Sequence, residues 1–201
     1  MSQSNNTALS RTLTKILRHK ASDYGLNMSS DGYVLLTDLL CVPALKKLNA
    51  NKEVIDSIVA NCPKQRFAFN DDHTAIKANQ GHTIETLDDE KMMIPITLEN
   101  CHEYPSCVHG TYRKAWKLIE ESGGLSRMQR RHIHFSSEEF GSKQMISGMR
   151  SNAQVLISID LKKALENGYK FYVSLNKVIL TRGDENTGLL PNTYFSKVKF
   201  L

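Results

Sequence analysis

Three arginine-bearing patches hold the side chains best suited to chemistry: Leu17-Arg18-His19, Gln65-Arg66-Phe67 and Arg130-Arg131-His132-Ile133-His134. Arginine stays charged at any working pH, and its planar fork of donors matches the oxygens of a phosphate. One surface arginine carries little meaning. Several, spread along the chain beside histidines, point to a pocket built for phosphate. Histidine adds a group that titrates near neutrality.

The elements that must position these residues follow from spacing. Leu9, Leu13, Ile16 and Leu17 recur with helical period. Arg11, Lys15 and Arg18 then fall on the opposite face, and His19 lies at its flank. Taken alone, that face reads as a solvated basic stripe. Ser30-Asp31-Gly32-Tyr33-Val34 is a turn entering a short strand. Thr37 is placed to cap a short helix containing Leu39 and Leu40. Lys52 to Asn61 is a further helix, with Val54, Ile55, Ile58 and Val59 as its apolar stripe.

Arg66-Phe67-Ala68-Phe69 and Thr74-Ala75-Ile76-Lys77-Ala78 flank the turn Asn70-Asp71-Asp72 and read as a hairpin. Helices followed by a hairpin make up a winged-helix unit. Asn79-Gln80-Gly81-His82-Thr83 is a polar loop after it, with Gly81 expected at positive φ. The boundary between two domains is expected near residue 97, giving units 1–97 and 98–201.

The second half is strand-rich α+β. Its expected strands are Ser106–His109, His132–Phe135, Val155–Ile159, Phe171–Val173, Val178–Leu180 and Lys197–Leu201. One helix is expected at Arg113–Glu121, and a loop or short helix at Gln144–Arg150.

Composition narrows the function classes. The net charge is +5, from 11 basic and 11 acidic residues in 1–97 and 15 and 10 in 98–201. A basic excess in the second half fits a polyanionic partner. No apolar run reaches membrane length, and the polar start has no signal-peptide pattern. An intracellular protein, in cytoplasm or nucleus, is expected, without membrane contact and as a monomer. Cys41, Cys62, Cys101 and Cys107 lack zinc-site spacing and are expected reduced. There is no GxGxxG after a strand, no P-loop and no nucleophile elbow.

In order along the chain, Leu9-Ser10, Leu17-Arg18-His19, Ser30 to Val34, Lys64-Gln65-Arg66-Phe67, Ala78-Asn79-Gln80-Gly81-His82, His109-Gly110-Thr111, Arg130 with His132-Ile133-His134, and Ile146-Ser147-Gly148-Met149-Arg150 resemble the RNA 2′-phosphotransferase family. The resemblance runs from about Leu9 to Phe195. It implies an N-terminal winged-helix lobe and a C-terminal ADP-ribosyltransferase-like lobe. It further implies NAD+-dependent removal of an internal 2′-phosphate from RNA, left at a tRNA splice junction, through an ADP-ribosylated RNA intermediate. Nicotinamide and ADP-ribose 1″,2″-cyclic phosphate would be the other products.

The same resemblance implies a catalytic set of Arg18, His19, Arg66 and Arg130, and it implies no metal. His109, Gly110 and Thr111 would hold NAD+, with His132, Ser136, Gly148 and Arg150 as further contacts. Asn79, Gln80 and His82 would either bind phosphate or fix the wing. Lys77 stands where the family commonly has arginine, and Thr83 where serine is frequent. Arg131 doubles the usual single arginine, and the spacing to His132 favours Arg130. Two other readings stand beside this one. The first is an ADP-ribosyltransferase that caps phosphorylated RNA or DNA ends; the second is a non-catalytic winged-helix binder, which predicts loss of these site residues.

Overall fold

The computed structural model describes residues 3–138, 149 and 152–201. The chain divides into two compact units, Met1–Met92 and Met93–Leu201. Together they form a mixed α+β protein whose sheets are all antiparallel. Among the described residues no helix is long and apolar enough to cross a membrane.

The first unit runs α1 (Gln3–Lys15), β1 (Val34–Leu35), α2 (Leu36–Leu40), α3 (Pro43–Lys46), α4 (Lys52–Ala60), β2 (Phe67–Phe69), β3 (Ala75–Ala78) and α5 (Asp89–Met92). Leu9, Leu13, Ile16 and Leu17 are all buried. They centre a core that also takes Leu39, Leu45, Ile55, Ile58, Phe67 and Ile76. At the C-terminal end of α1 the helix widens into a π turn, Ile16–Lys20. This turn breaks the regular basic stripe expected from spacing. Arg11 and Lys15 stay exposed while Arg18 turns half-inward.

Asn51 caps α4, its Oδ1 accepting from Val54 N at 2.9 Å. Val54 and Val59 pack against the core from its margin. Thr37 does not cap α2. That helix begins at Leu36, so Thr37 already lies in its first turn, and its Oγ1 donates to Asp38 Oδ1 at 3.4 Å.

β2 and β3 form the expected hairpin, with Phe67 opposite Ala78 and Phe69 opposite Ile76, and β1 pairs on the other side of β3. Asn70 and Asp72 close the turn by accepting from Ala75 N (2.8 Å) and Thr74 N (3.0 Å). Strand alternation sends Ile76 and Ala78 into the core and Lys77 to the opposite face. Lys77 is nonetheless buried there, with Nζ 4.6 Å from the centre of the Tyr33 ring. Burial pulls its pKa below the ordinary lysine value, and Asp31 opposes that shift.

The second unit runs β4 (Ile94–Ile96), β5 (Val108–Thr111), α6 (Arg113–Glu121), β6 (Gly124–Ser126), β7 (Ile133–Ser136), β8 (Val155–Ile159), α7 (Leu161–Glu166), β9 (Phe171–Val173), β10 (Val178–Thr181), β11 (Leu189–Pro191) and β12 (Phe195–Phe200). Seven strands form one sheet in the order β12-β8-β5-β7-β10-β9-β4, and β11 pairs with β6.

Four of these elements lie outside the expected set: β4, β6, β11 and α7. β4 and β11 each contain a proline, which removes a ladder donor and hides a strand in the sequence. β4 accommodates Pro95 by sitting at the sheet edge. α7 is capped by Asp160, whose Oδ1 accepts from Lys163 N at 3.0 Å. The segment Gln144–Arg150 lies outside the described residues except for Met149.

Asn51→Ala should lower the free energy of unfolding by about 1 kcal/mol, the usual worth of such a cap. Chemical denaturation of the two proteins, read at unchanged m-value, checks this.

Candidate active site

In the first unit three sequence-predicted residues, Arg18, His19 and Arg66, are tied to one loop, 79–83. Asn79 N donates to the Arg66 carbonyl at 2.9 Å, extending the hairpin ladder by one step. Asn79 Nδ2 donates to the Gln65 carbonyl at 2.6 Å. At the other end of the loop, Thr83 N donates to the Arg18 carbonyl at 3.0 Å. The Thr83 hydroxyl lies 3.1 Å from His19 Nδ1.

Between these ends sits Gly81 at φ +87°, as its place in the loop required. A Cβ built there would come 3.1 Å from Arg18 Nη1 and 3.3 Å from its Cζ. The guanidinium therefore lies against the bare glycine backbone. Asn79, Gln80 and His82 are all buried although polar. Loop residues are ordinarily solvated, so this burial marks the loop as a built part of the unit.

The π turn explains how Arg18 and His19 leave the helix axis. Such turns add a residue to one helical turn and recur at functional sites. Arg66 is held separately. Its backbone N and its Nη1 both lie 3.4 Å from Cys62 Sγ, within sulfur hydrogen-bond reach. Gln65, just before it, adopts φ +43°, a left-handed conformation uncommon outside glycine. Cys62 and Thr83 are anchors that the sequence reading did not assign. Neither carries a motif of its own, since each acts only by hydrogen bonds to neighbouring residues.

In the second unit β5 and β7 share a single paired position, Val108 opposite Ser136, and then part. The His109 side chain bridges the gap. Its Nδ1 is 2.9 Å from the His134 carbonyl. A carbonyl can only accept, so Nδ1 carries the hydrogen and donates. The ring also meets Phe135 edge-on at 6.0 Å. Strand parity puts His109 on the side of Phe135, and Gly110 on the side of His134 and Ser136.

On that second side Gly110 has no room for a Cβ, which would collide with Met149 Cγ and press on Ala153. Thr111, His132 and Ser136 are buried and His134 half-buried. Ser136 Oγ donates to the Glu138 carbonyl at 3.0 Å and accepts from Glu138 N at 3.1 Å, so it also shapes the turn after β7. Gly148 and Arg150 lie outside the described residues.

The doubled arginine separates cleanly. Arg131 is 1% exposed, whereas Arg130 faces outward. Arg127 braces the preceding turn: its Nη1 donates to the Arg130 carbonyl at 2.9 Å, and its own carbonyl accepts from Arg130 N at 3.1 Å. Cys107, by contrast, is a core residue whose thiol burial drives strongly upward in pKa. It stays protonated and unreactive.

Comparison with known proteins identifies the family. Residues 4–183 match the RNA 2′-phosphotransferase, Tpt1 / KptA family. The chain is 39% identical to tRNA 2′-phosphotransferase 1 of Danio rerio, over 99% of this chain and 88% of that protein. It is 38% identical to a putative tRNA 2′-phosphotransferase of Schizosaccharomyces pombe, over 94% of this chain and 50% of that protein. It is 32% identical to a probable RNA 2′-phosphotransferase of Trichormus variabilis, over 90% and 93%. The match over most of the chain defines it as a phosphate-transferring enzyme of the 2′-phosphotransferase class. The chain belongs to the RNA 2′-phosphotransferase, Tpt1/KptA family.

Gly81→Ala should lower activity, because the new methyl group would press on the Arg18 guanidinium, 3.1 Å from Nη1, and force it to shift. Gly25→Ala, also at positive φ (+67°) but with nothing within 4 Å, is the control. Both substitutions should cost about 1–2 kcal/mol of stability for the left-handed backbone, and only Gly81→Ala should also cut turnover. Thermal denaturation and turnover measured on both variants check this.

Proposed function

We propose that the protein is an NAD+-dependent tRNA 2′-phosphotransferase. In this reading the first unit is a winged-helix lobe that grips the RNA phosphate, and the second is an ADP-ribosyltransferase-like lobe that takes NAD+. The observation that carries the reading is the tethering of Arg18, His19 and Arg66 to one buried polar loop. The ties hold the backbone of both arginines and the His19 ring to the same frame, and phosphate binding needs charged groups mounted on such a frame.

NAD+ is consumed as a substrate in this reaction. The residues proposed to meet it in the second unit are His109, Gly110 and Thr111 on β5, with His132 just before β7 and Ser136 at its end. In the first step an oxygen of the RNA 2′-phosphate attacks ribose C1″, and the C1″–N bond to nicotinamide breaks. In the second step the ribose 2″-OH attacks phosphorus, and the bond from phosphorus to the RNA 2′-oxygen breaks. One proton leaves the 2″-OH and one reaches the departing RNA oxygen. RNA with a free 2′-OH and ADP-ribose 1″,2″-cyclic phosphate result.

Arg18, Arg66 and Arg130 supply positive charge where the transferring phosphoryl group develops negative charge. His19 is the proton carrier, its Nδ1 oriented by Thr83. His109 acts by pinning β7 to β5 through the His134 carbonyl.

The test is incubation of an RNA bearing one internal 2′-phosphate, with and without NAD+, followed by gel and mass spectrometry. NAD+-dependent loss of the phosphate with formation of the cyclic phosphate is the expected result. ADP-ribosylated RNA as the end product would instead assign an end-capping ADP-ribosyltransferase. RNA binding without NAD+ turnover would leave only a nucleic-acid-binding module.

Arg66→Ala should slow the second step by about 10²–10³, the usual worth of one such electrostatic contact. ADP-ribosylated RNA then accumulates in single-turnover time courses. Equal slowing of both steps would refute that division of labour. His109→Ala should raise the KM for NAD+, and an unchanged KM would remove it from the NAD+ site.

A further inference from the structure

A groove of about 590 Å3 runs along the first unit where α1 meets the end of α4, and Arg66 lies on its wall. Its size falls within the roughly 300–1,000 Å3 common for small-molecule sites. Ser10, Arg11 and Thr14 line one side, and Ser57 and Asn61 the other. Among the described residues no aspartate or glutamate lines it.

The lining has the chemistry of a phosphodiester track. Contacts that position a nucleic acid come mainly from arginine, serine, threonine and asparagine to phosphate and sugar oxygens. Arg11 is exposed and, among the described residues, takes part in no ion pair. Asn61 Nδ2 donates to Ser57 Oγ at 3.3 Å, so the Ser57 hydroxyl keeps its own hydrogen to donate outward. Cys62 also lines the groove and holds Arg66 Nη1 at 3.4 Å. The groove therefore begins at a residue of the candidate active site.

We propose that this groove binds the single-stranded RNA backbone flanking the 2′-phosphorylated nucleotide, with Arg11 as its phosphate contact. The proposal rests on the reading of Arg66 as the group that meets the 2′-phosphate. The groove makes the enzyme prefer a longer RNA over the minimal phosphorylated dinucleotide. Sequence plays no part in that preference, since backbone contacts carry none.

The experiment compares a single-stranded RNA decamer and a dinucleotide, each with one internal 2′-phosphate. Binding is read by fluorescence anisotropy and turnover by kcat/KM, for the wild type, Arg11→Glu and Lys47→Glu. Lys47 is exposed and lies outside the groove lining. The wild type should prefer the decamer. Arg11→Glu should weaken decamer binding about tenfold, the size of one charge-assisted contact. It should also reduce the slope of log Kd against log salt by about 1. Lys47→Glu should retain the preference.

Equal losses on decamer and dinucleotide, or equal losses in Arg11→Glu and Lys47→Glu, would overturn the groove assignment. Failure of the underlying reading looks different: the wild type would bind the decamer yet convert neither RNA, and the anisotropy series would still decide the groove. Saturable displacement of the RNA by inorganic phosphate alone, without a length effect, would show a simple anion site and also overturn it.

Discussion

The first unit depends on two backbone hydrogen bonds at the ends of one loop. Asn79 N to the Arg66 carbonyl and Thr83 N to the Arg18 carbonyl fasten the hairpin's exit to the widened end of α1. Everything proposed for phosphate chemistry in this unit hangs from those two bonds. The loop can be short because the π turn swings Arg18 and His19 away from the regular helix path. It can be buried because Asn79 satisfies the Gln65 carbonyl as well as extending the ladder. Gly81 completes the frame by leaving room for a guanidinium against its backbone. A methyl group there would meet two objections at once, a strained φ and a tight contact with the guanidinium.

The second unit meets an analogous constraint with a side chain. An antiparallel pair normally ties itself by its own ladder. β5 and β7 share one paired position, so the ladder cannot hold them further along. His109 replaces the missing rung by donating from Nδ1 to the His134 carbonyl. A histidine in such a place is a strut that holds the two strands together through one hydrogen bond.

Much of this was legible in the sequence, and the reasons for the rest are physical. The periods of Leu9, Leu13, Ile16 and Leu17, and of Ile55 and Ile58, report burial directly, so helices and core were readable. The hairpin was readable because its turn uses Asn70 and Asp72, whose side chains bond the backbone. β4 and β11 were not, because three residues including a proline give no alternation. Thr37 was misread as a cap because the capping residue type lies one step inside the helix that formed. The π turn leaves no trace, since Ile16 to Lys20 reads equally well as α-helix. The ties to Arg18 and Arg66 leave none either, because a backbone amide has no residue-type signature. The arginine pair is instructive: resemblance and the spacing to His132 favoured Arg130, and only the fold shows that Arg131 is buried while Arg130 is exposed.

The Cys62–Arg66 contact shows why arginine suits this position better than lysine. Arg66 spends Nη1 on the thiol and its backbone N on the same sulfur. A guanidinium has five donors in a rigid fork, so one can fix the plane while the others remain directed at a ligand. A lysine ammonium rotates about its last bond, and tethering one hydrogen does not aim the rest. The tether is weak, as sulfur is a poor acceptor, yet it removes rotamer freedom before any ligand arrives. An arginine ordered in advance loses less entropy on meeting a phosphate. On the proposed reading, that ordering falls on the group asked to stabilise the charge that develops as the phosphate leaves RNA.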